Sequence, residues 1–385
     1  MTRGPAAHLP VTGQMHGKAQ VRGSVARQRV SPRSVLGMTL IELMVGLAVG
    51  LFVSLIAIAV FVSTRTLNVV NNSSARMGEN ARLAMEVLQE DLRHAGFQGC
   101  HDVAANPPVS VLNPAPAVDA GFLDTGLTGV AGHSGTGTGF APTLGKALEG
   151  LIPKPNNNSD IVTVRVPADN LSLGLTAAMA TAAASPQIGA SGAAVGMLHQ
   201  GDIALVASCK AAAIFQITAN PPAATGELAH TAGTSPSPGN AVATLPRRFG
   251  SDAAVYRLET RHYYVAASTL HAGSNALWRY RVPCLGCTVT DNPQELAGGV
   301  DRLKVLWGID TDGDQTVNQY LGADAVTAWE QVGSARVQML VATTSNGNVT
   351  QGAQTVSFAG ATVTPTDRQL RTVLTEVVTL RNRAP

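Results

Sequence analysis

Aromatic residues are scarce, 4% of the 385 in the chain, too few for the stacking platform on which single-stranded nucleic acid is held. Charge is scarce too, at 14%, and it is segregated. Residues 1–37 contain Arg3, Lys18, Arg22, Arg27, Arg29 and Arg33 and no Asp or Glu. The remainder holds 21 basic and 25 acidic residues, about −4 net, so no basic nucleic-acid surface is indicated. HExxH, GxSxG and a phosphate-cradling glycine loop are all missing, and with them the local signatures of common hydrolases and nucleotide enzymes. We therefore expect neither an enzyme nor an organic cofactor. Proline is absent between Pro32 and Pro107, which leaves that stretch free of the strongest helix breaker.

Within the proline-free stretch, Leu43 to Val62 reads LMVGLAVGLFVSLIAIAVFV, twenty residues without a charge. As a helix this spans roughly 30 Å, the thickness of a bilayer core. The basic residues lie on its N-terminal side, so the positive-inside rule keeps the N-terminus cytoplasmic and exports the residues from about Ser63 onward. A secretory signal is cut after its apolar stretch and loses it; here the sequence Gly37-Met38-Thr39-Leu40-Ile41-Glu42-Leu43 stands before that stretch. Glu42 is costly at the edge of an apolar helix, about 2.5–3.5 kcal/mol if carried to the bilayer centre, and so calls for a partner. The basic segment shows no helical or strand period and reads as disordered. Met15 is an alternative start. Gly46 and Gly50 form a GxxxG spacing, which in a glycine-rich apolar run is no more than chance supplies.

Further on, Ala81, Ala84, Leu88, Leu92 and Ala95 recur at spacings of three and four, one stripe of an amphipathic helix. Asn68, Asn71, Asn72, Ser73, Ser74 and Gly78 are weak helix formers, and a bend or loosening is expected there. Gly96 and Gly99 supply stop signals. After Cys100 the pattern turns to short β-type runs: Ile161–Val166, Asp202–Ala207, Ala213–Ile217, Val255–Leu258, His262–Val265, Leu277–Val282, Leu303–Ile309, Ala335–Val341 and Val373–Leu380. The fold class is α+β, a long N-terminal helix on a mainly antiparallel sheet with long loops. Pro107–Pro155, Leu171–His199 and Asn220–Pro246 are too biased to build much core, with an Ala-rich helix possible over Leu171–Met197.

The glycine, the glutamate five residues later and the apolar run resemble, in that order, the prepilin peptidase site of type IV pilins and type II secretion pseudopilins. The resemblance implies a leader, residues 1–37, cut after Gly37, and N-methylation of Met38. It also implies that Glu42 pairs with the N-terminal amine of a neighbouring subunit. Phe is usual where Met38 stands. Residues 38–62 are then the membrane or filament-core helix, 63–99 its amphipathic extension and 100–385 the exported head. A narrower resemblance, to the PilW minor pilins, rests on RLAMEVLQEDLRHAGFQGC from Arg82, SDIVTVRV from Ser159 and GDIALVASCKAAAIFQIT from Gly201. It continues with PQELAGGVDRLKVLWGIDTDGD from Pro293 and VLTEVVTLRNR from Val373. It implies a pilin-like fold and a role in initiating or capping type IV pilus assembly, hence in adhesion and motility. The implied partners are prepilin peptidase, other minor and major pilins and a tip-associated adhesin. The implied location is the bacterial inner membrane, and the pilus after assembly. A type II secretion pseudopilin, or an anchored periplasmic binding or enzymatic domain, are the alternatives.

Cys100, Cys209, Cys284 and Cys287 read as disulfides in an exported chain. Three connectivities are open; Cys284 with Cys287 and Cys100 with Cys209 is preferred. Cys284-Leu285-Gly286-Cys287 has the spacing of a redox pair but no βαβ context, and a zinc site would have to recruit Cys100 and Cys209, 109 residues apart. Asp310, Asp312 and Asp314 stand at alternate positions, a pattern able to surround Ca²⁺. The complete EF-hand pattern is absent, with Gln315 where glycine and Leu321 where glutamate would stand. An Asp/Gly turn is the more economical reading.

Overall fold

The computed structural model describes residues 37–100, 108–113, 129–168, 172–189, 195–282, 292–344, 349–350 and 352–382. The chain divides into two compact units, Met1–Phe61 and Val62–Pro385. The first contains the opening turns of helix α1 (Leu40–His94). This helix is unbroken through Asn68 to Gly78, so the loosening expected there does not occur: Val70, Ser73, Ser74 and Gly78 are half-buried and Met77 is buried, and tertiary packing outweighs propensity.

The second unit holds the rest of α1 and the sheets. In chain order the elements are β1 (Val109–Ser110), β2 (Val130–Gly135), β3 (Phe140–Ala141), α2 (Lys146–Glu149), β4 (Ile161–Pro167) and β5 (Leu173–Gly174). Then come β6 (Ile203–Ser208), β7 (Ala211–Gln216), β8 (Ala254–Ala267), β9 (Asn275–Val282), β10 (Gln294–Gly298) and β11 (Val300–Ile309). Last are β12 (Gln319–Leu321), β13 (Val332–Ala342), β14 (Val356–Phe358), β15 (Ala361–Val363) and β16 (Arg371–Thr379). The larger sheet runs β1-β7-β6-β8-β4-β2-β3, with β5 and β9 also on β8 and β10 on β9; the second runs β12-β11-β13-β16. Every described pairing is antiparallel except the short β1–β7 contact.

The stripe Ala81, Ala84, Leu88, Leu92 and Ala95 is buried, joined by Met77 and Met85. It packs against Val162, Val164, Tyr263 and Val265 of the larger sheet and Val305, Trp307, Val337 and Met339 of the second. One helix thus serves as the common core of both sheets. The alanines let the backbone come close, and Leu88 and Leu92 fill the space between. At its end Gly96 takes φ 71°, and Gly129 (φ 79°) lies so near that a Cβ there would sit 2.2 Å from the Gly96 nitrogen. Only glycine fits that meeting.

Asp160 holds the two sheets together. Its carboxylate accepts the backbone N–H of Gly135 at 2.9 Å and of Val305 at 2.9 Å, and Lys304 Nζ at 3.2 Å. Burial pushes this carboxyl up, against the pull of those donors.

Three expectations differ. Val255–Leu258 and His262–Val265 are one 14-residue strand, β8, because the intervening Glu259 and Arg261 pair in register with Val166 and Val164 of β4 and their charges find partners. The stretch 172–189, the described part of Leu171–Met197 before the helical Val195, forms no Ala-rich helix. It holds β5 and turns, since Leu175, Thr176 and Met179 donate their N–H groups to Ala253, Gln187 and Phe249. The biased loops also build core after all: Met179, Ile188, Leu198, Leu228 and Leu245 are buried in one cluster with Phe215 and Val255. Composition understated them because a few apolar residues per loop suffice when a sheet face lies beneath.

Candidate functional site

Thr39 precedes the first turn of α1. Its hydroxyl accepts the N–H of Glu42 at 3.3 Å, and the Glu42 carboxylate accepts the N–H of Thr39 at 3.2 Å. This reciprocal pair is a capping box, which satisfies donors that a helix start leaves open. The sequence carried the signal, Thr-x-x-Glu before an apolar run, but Glu42 alone was read there. Glu42, Gly46, Gly50 and Ser54 follow at spacings of four along one face. Among the described residues this is the one helix long and apolar enough to cross a membrane, and none of its most apolar window is buried within the chain. Leu47, Leu51, Phe52 and Phe61 are each about two-thirds exposed. Surface of this size left bare is covered in the cell by lipid or protein.

Three residues from its end the same helix carries Asp91, 5% exposed. Arg261 Nη1 on β8 donates to one Asp91 oxygen at 2.8 Å, and the Tyr263 hydroxyl donates to the other. Arg261 Nε reaches Glu259 at 2.8 Å, and Arg281 on β9 lies 3.8 Å from Glu259. Two acids and two bases balance. Burial works against the Arg261 charge, but Asp91 and Glu259 outweigh it and hold its pKa above the usual value. Periodicity could not find this pair, because Asp91 lies beside Leu92 on the buried stripe and its partners are about 170 residues away.

Burial, with Asp91 next in the case of Tyr263, also raises the pKa of Tyr263, and burial raises those of Tyr264 and Tyr280. Below the ordinary value of 10.0 folded and unfolded chains both keep these protons, and no stability is lost. Above it the unfolded chain ionises first, so stability falls as pH rises toward the folded pKa values. In an alkaline titration the share of tyrosinate absorbance contributed by Tyr263, Tyr264 and Tyr280 is expected to appear together with unfolding, not ahead of it.

Asp310, Asp312 and Asp314 do come together in the turn between β11 and β12, each offering an oxygen within 4.8 Å of the others. Asp310 also accepts the N–H groups of Gly313 at 2.7 Å and Gln315 at 2.8 Å, and Asp314 that of Thr316 at 2.7 Å. Gln315 takes φ 70°, the conformation for which glycine is usual. The carboxylates thus stabilise their own turn, which supports the turn reading. Cys100 and Cys209 form a disulfide; Cys284 and Cys287 lie outside the described residues, as do 1–36 of the expected leader.

Residues 262–382 match the family model PilW, Type IV Pilus-assembly protein W. The matched stretch runs from mid-β8 through β16 and includes the whole second sheet. Over these residues, about a third of its length, the chain resembles the PilW family of type IV pilus-assembly proteins. The resembling pieces from Arg82, Ser159 and Gly201 lie outside the match. A solved type IV-like pilin from Thermus thermophilus is 13% identical, covering 80% of this chain and 98% of that one at a TM-score of 0.30, too distant to carry an argument. No curated protein matches the sequence. The match supports a pilus-related role and interaction with other pilins, and α1 is long and apolar enough for membrane anchoring.

Proposed function

We propose that this chain is a minor pilin that prepilin peptidase cuts between Gly37 and Met38, and that it then helps initiate a type IV pilus. The observation that carries the reading is a single helix with two fates. From Leu43 to Val62 it is uncharged and exposed, while its second half is fixed into the head by a buried stripe and the Asp91 ion pair. Such a helix is built to be held by other apolar helices. Gly37 has open space around it, as a cleavage site needs. Cutting there leaves Met38, to be N-methylated, one residue ahead of the Thr39–Glu42 cap. The Glu42 carboxylate, already turned toward the helix start, then stands ready for the amine of a neighbouring subunit. The protein acts by assembly rather than by catalysis, from the inner membrane with its head periplasmic, and reaches the pilus with other minor and major pilins and a tip-associated adhesin.

The test is the mass of the N-terminus in membrane extracts. A methylated Met38 in cells with prepilin peptidase, replaced by the uncut chain in cells without it, is the expected result. An intact leader in both would overturn the reading. Glu42→Ala is expected to leave cleavage intact but to remove the protein from sheared pili.

A further inference from the structure

β16 is the outer strand of the second sheet. Its even residues point their backbone groups inward, as the Thr343 N–H bond to the Leu370 carbonyl and the Leu380 N–H bond to the Gly333 carbonyl show at either end. Its odd residues point outward. Arg371 marks the first, and its outward N–H and C=O are both taken by the side-chain amide of Gln354, at 2.7 and 3.1 Å. That amide closes the edge at its start. Beyond it, Thr375, Glu376 and Val377 are exposed in succession, and so is Thr379. The described backbone hydrogen bonds give the outward groups of Thr375, Val377 and Thr379 no partner.

Open edges are ordinarily blunted by charge, proline, a bulge, brevity or a covering segment; here Glu376 is the one charge beyond Arg371, and β14 lies beside the strand. β16 has nine residues, a continuous register with β13 and neither lysine nor proline. It is rich in the β-branched residues that favour pairing. Its single acid, Glu376, has no ion-pair or hydrogen-bond partner among the described residues. On the opposite face Val377 and Thr379 line a cavity of about 400 Å³ whose rim carries Asp310 and Glu330.

We propose that the outer edge of β16 from Thr375 to Thr379 receives an extended strand of another protein chain, one with a lysine or arginine opposite Glu376. The added strand takes the free N–H and C=O groups of Thr375, Val377 and Thr379. Glu376 then lies in a non-hydrogen-bonded pair, where cross-strand side chains come closest, and its charge selects a basic neighbour. A second copy of β16 serves poorly. In two-fold registers over this stretch Glu376 meets itself, Leu374 or Val378. The assembly reading above supplies the natural source of the strand, another pilin subunit, but the edge chemistry stands without it.

The experiment uses the full chain in detergent and two synthetic peptides of alternating Val and Thr, one with a central lysine and one with a central glutamate. Amide exchange is followed residue by residue. Without peptide, the Thr375, Val377 and Thr379 amides should exchange freely while those of Glu376 and Val378 are protected by β13. The lysine peptide should slow the three outward amides by about tenfold, and the glutamate peptide should not. Thr375→Pro removes an outward N–H and spares the inward ladder, and should abolish the effect. Glu376→Lys should exchange the peptide preference, and it carries the test if the proline variant fails to fold. Outward amides protected before any peptide is added, equal protection by both peptides, or protection by neither would each overturn the proposal. None of these outcomes depends on cleavage after Gly37.

Discussion

Asp91→Ala is expected to destabilise the head by about 3–5 kcal/mol, the cost of breaking a buried ion pair from one side. The loss comes from what stays behind. Arg261 keeps Glu259 at 2.8 Å, but the cluster is left with one acid and two bases in a place where Asp91 and Glu259 side chains are only 7% and 8% exposed. Tyr263, fully buried, loses the acceptor for its hydroxyl, a penalty of about 1–3 kcal/mol within that total. Asp91→Asn keeps an acceptor for Tyr263 and sheds only the charge, so it should cost less. Urea unfolding of the full chain in detergent checks the order: alanine lowest, asparagine between, with slopes unchanged if the native fold survives. Equal midpoints for the two variants would show that the Tyr263 bond contributes nothing.

The legibility of this chain divides along the same lines. The stripe from Ala81 to Ala95 was readable because a helix face repeats every three or four residues, and the structure buries those positions. The strands β4, β11 and β13 were readable for a different reason, their runs of β-branched and apolar residues. What escaped is what depends on distant partners. Asp160 sits in a piece quoted for its family likeness, yet its task of bonding Gly135 and Val305 across two sheets has no local signature. β2 was hidden by its composition, VAGHSG, in which the glycines are required by close neighbours and not by a turn. The biased loops were misjudged because low complexity conceals that Leu228 and Leu245 are spaced to reach one core.

At the helix start, the reverse held. Gly37, Met38 and Glu42 stand out by their resemblance to a prepilin peptidase site, whereas the Thr39 cap is legible from Thr-x-x-Glu before an apolar run. A capping box and a charge partner are compatible uses of one carboxylate: the first orients it, and the second belongs to the assembly proposed above.

Replacing Cys100 and Cys209 together by serine is expected to cost about 2–5 kcal/mol. The bridge joins the residue after Gly99 to the turn between β6 and β7 and closes a segment of 109 residues. A loop of about 100 residues has a chain-entropy term of roughly 4.7 kcal/mol. If the bridge acts through that term, the serine variant keeps the native sheets and unfolds with a steeper urea slope, because its denatured chain is more expanded. If it acts instead by holding down the helix end in the folded state, its loss should deepen the damage done by Asp91→Ala, since both fix the last turns of α1. The double-mutant cycle separates the two. Costs that add within about 0.5 kcal/mol place the effect in the unfolded chain, and a larger coupling places it at the junction of helix and head.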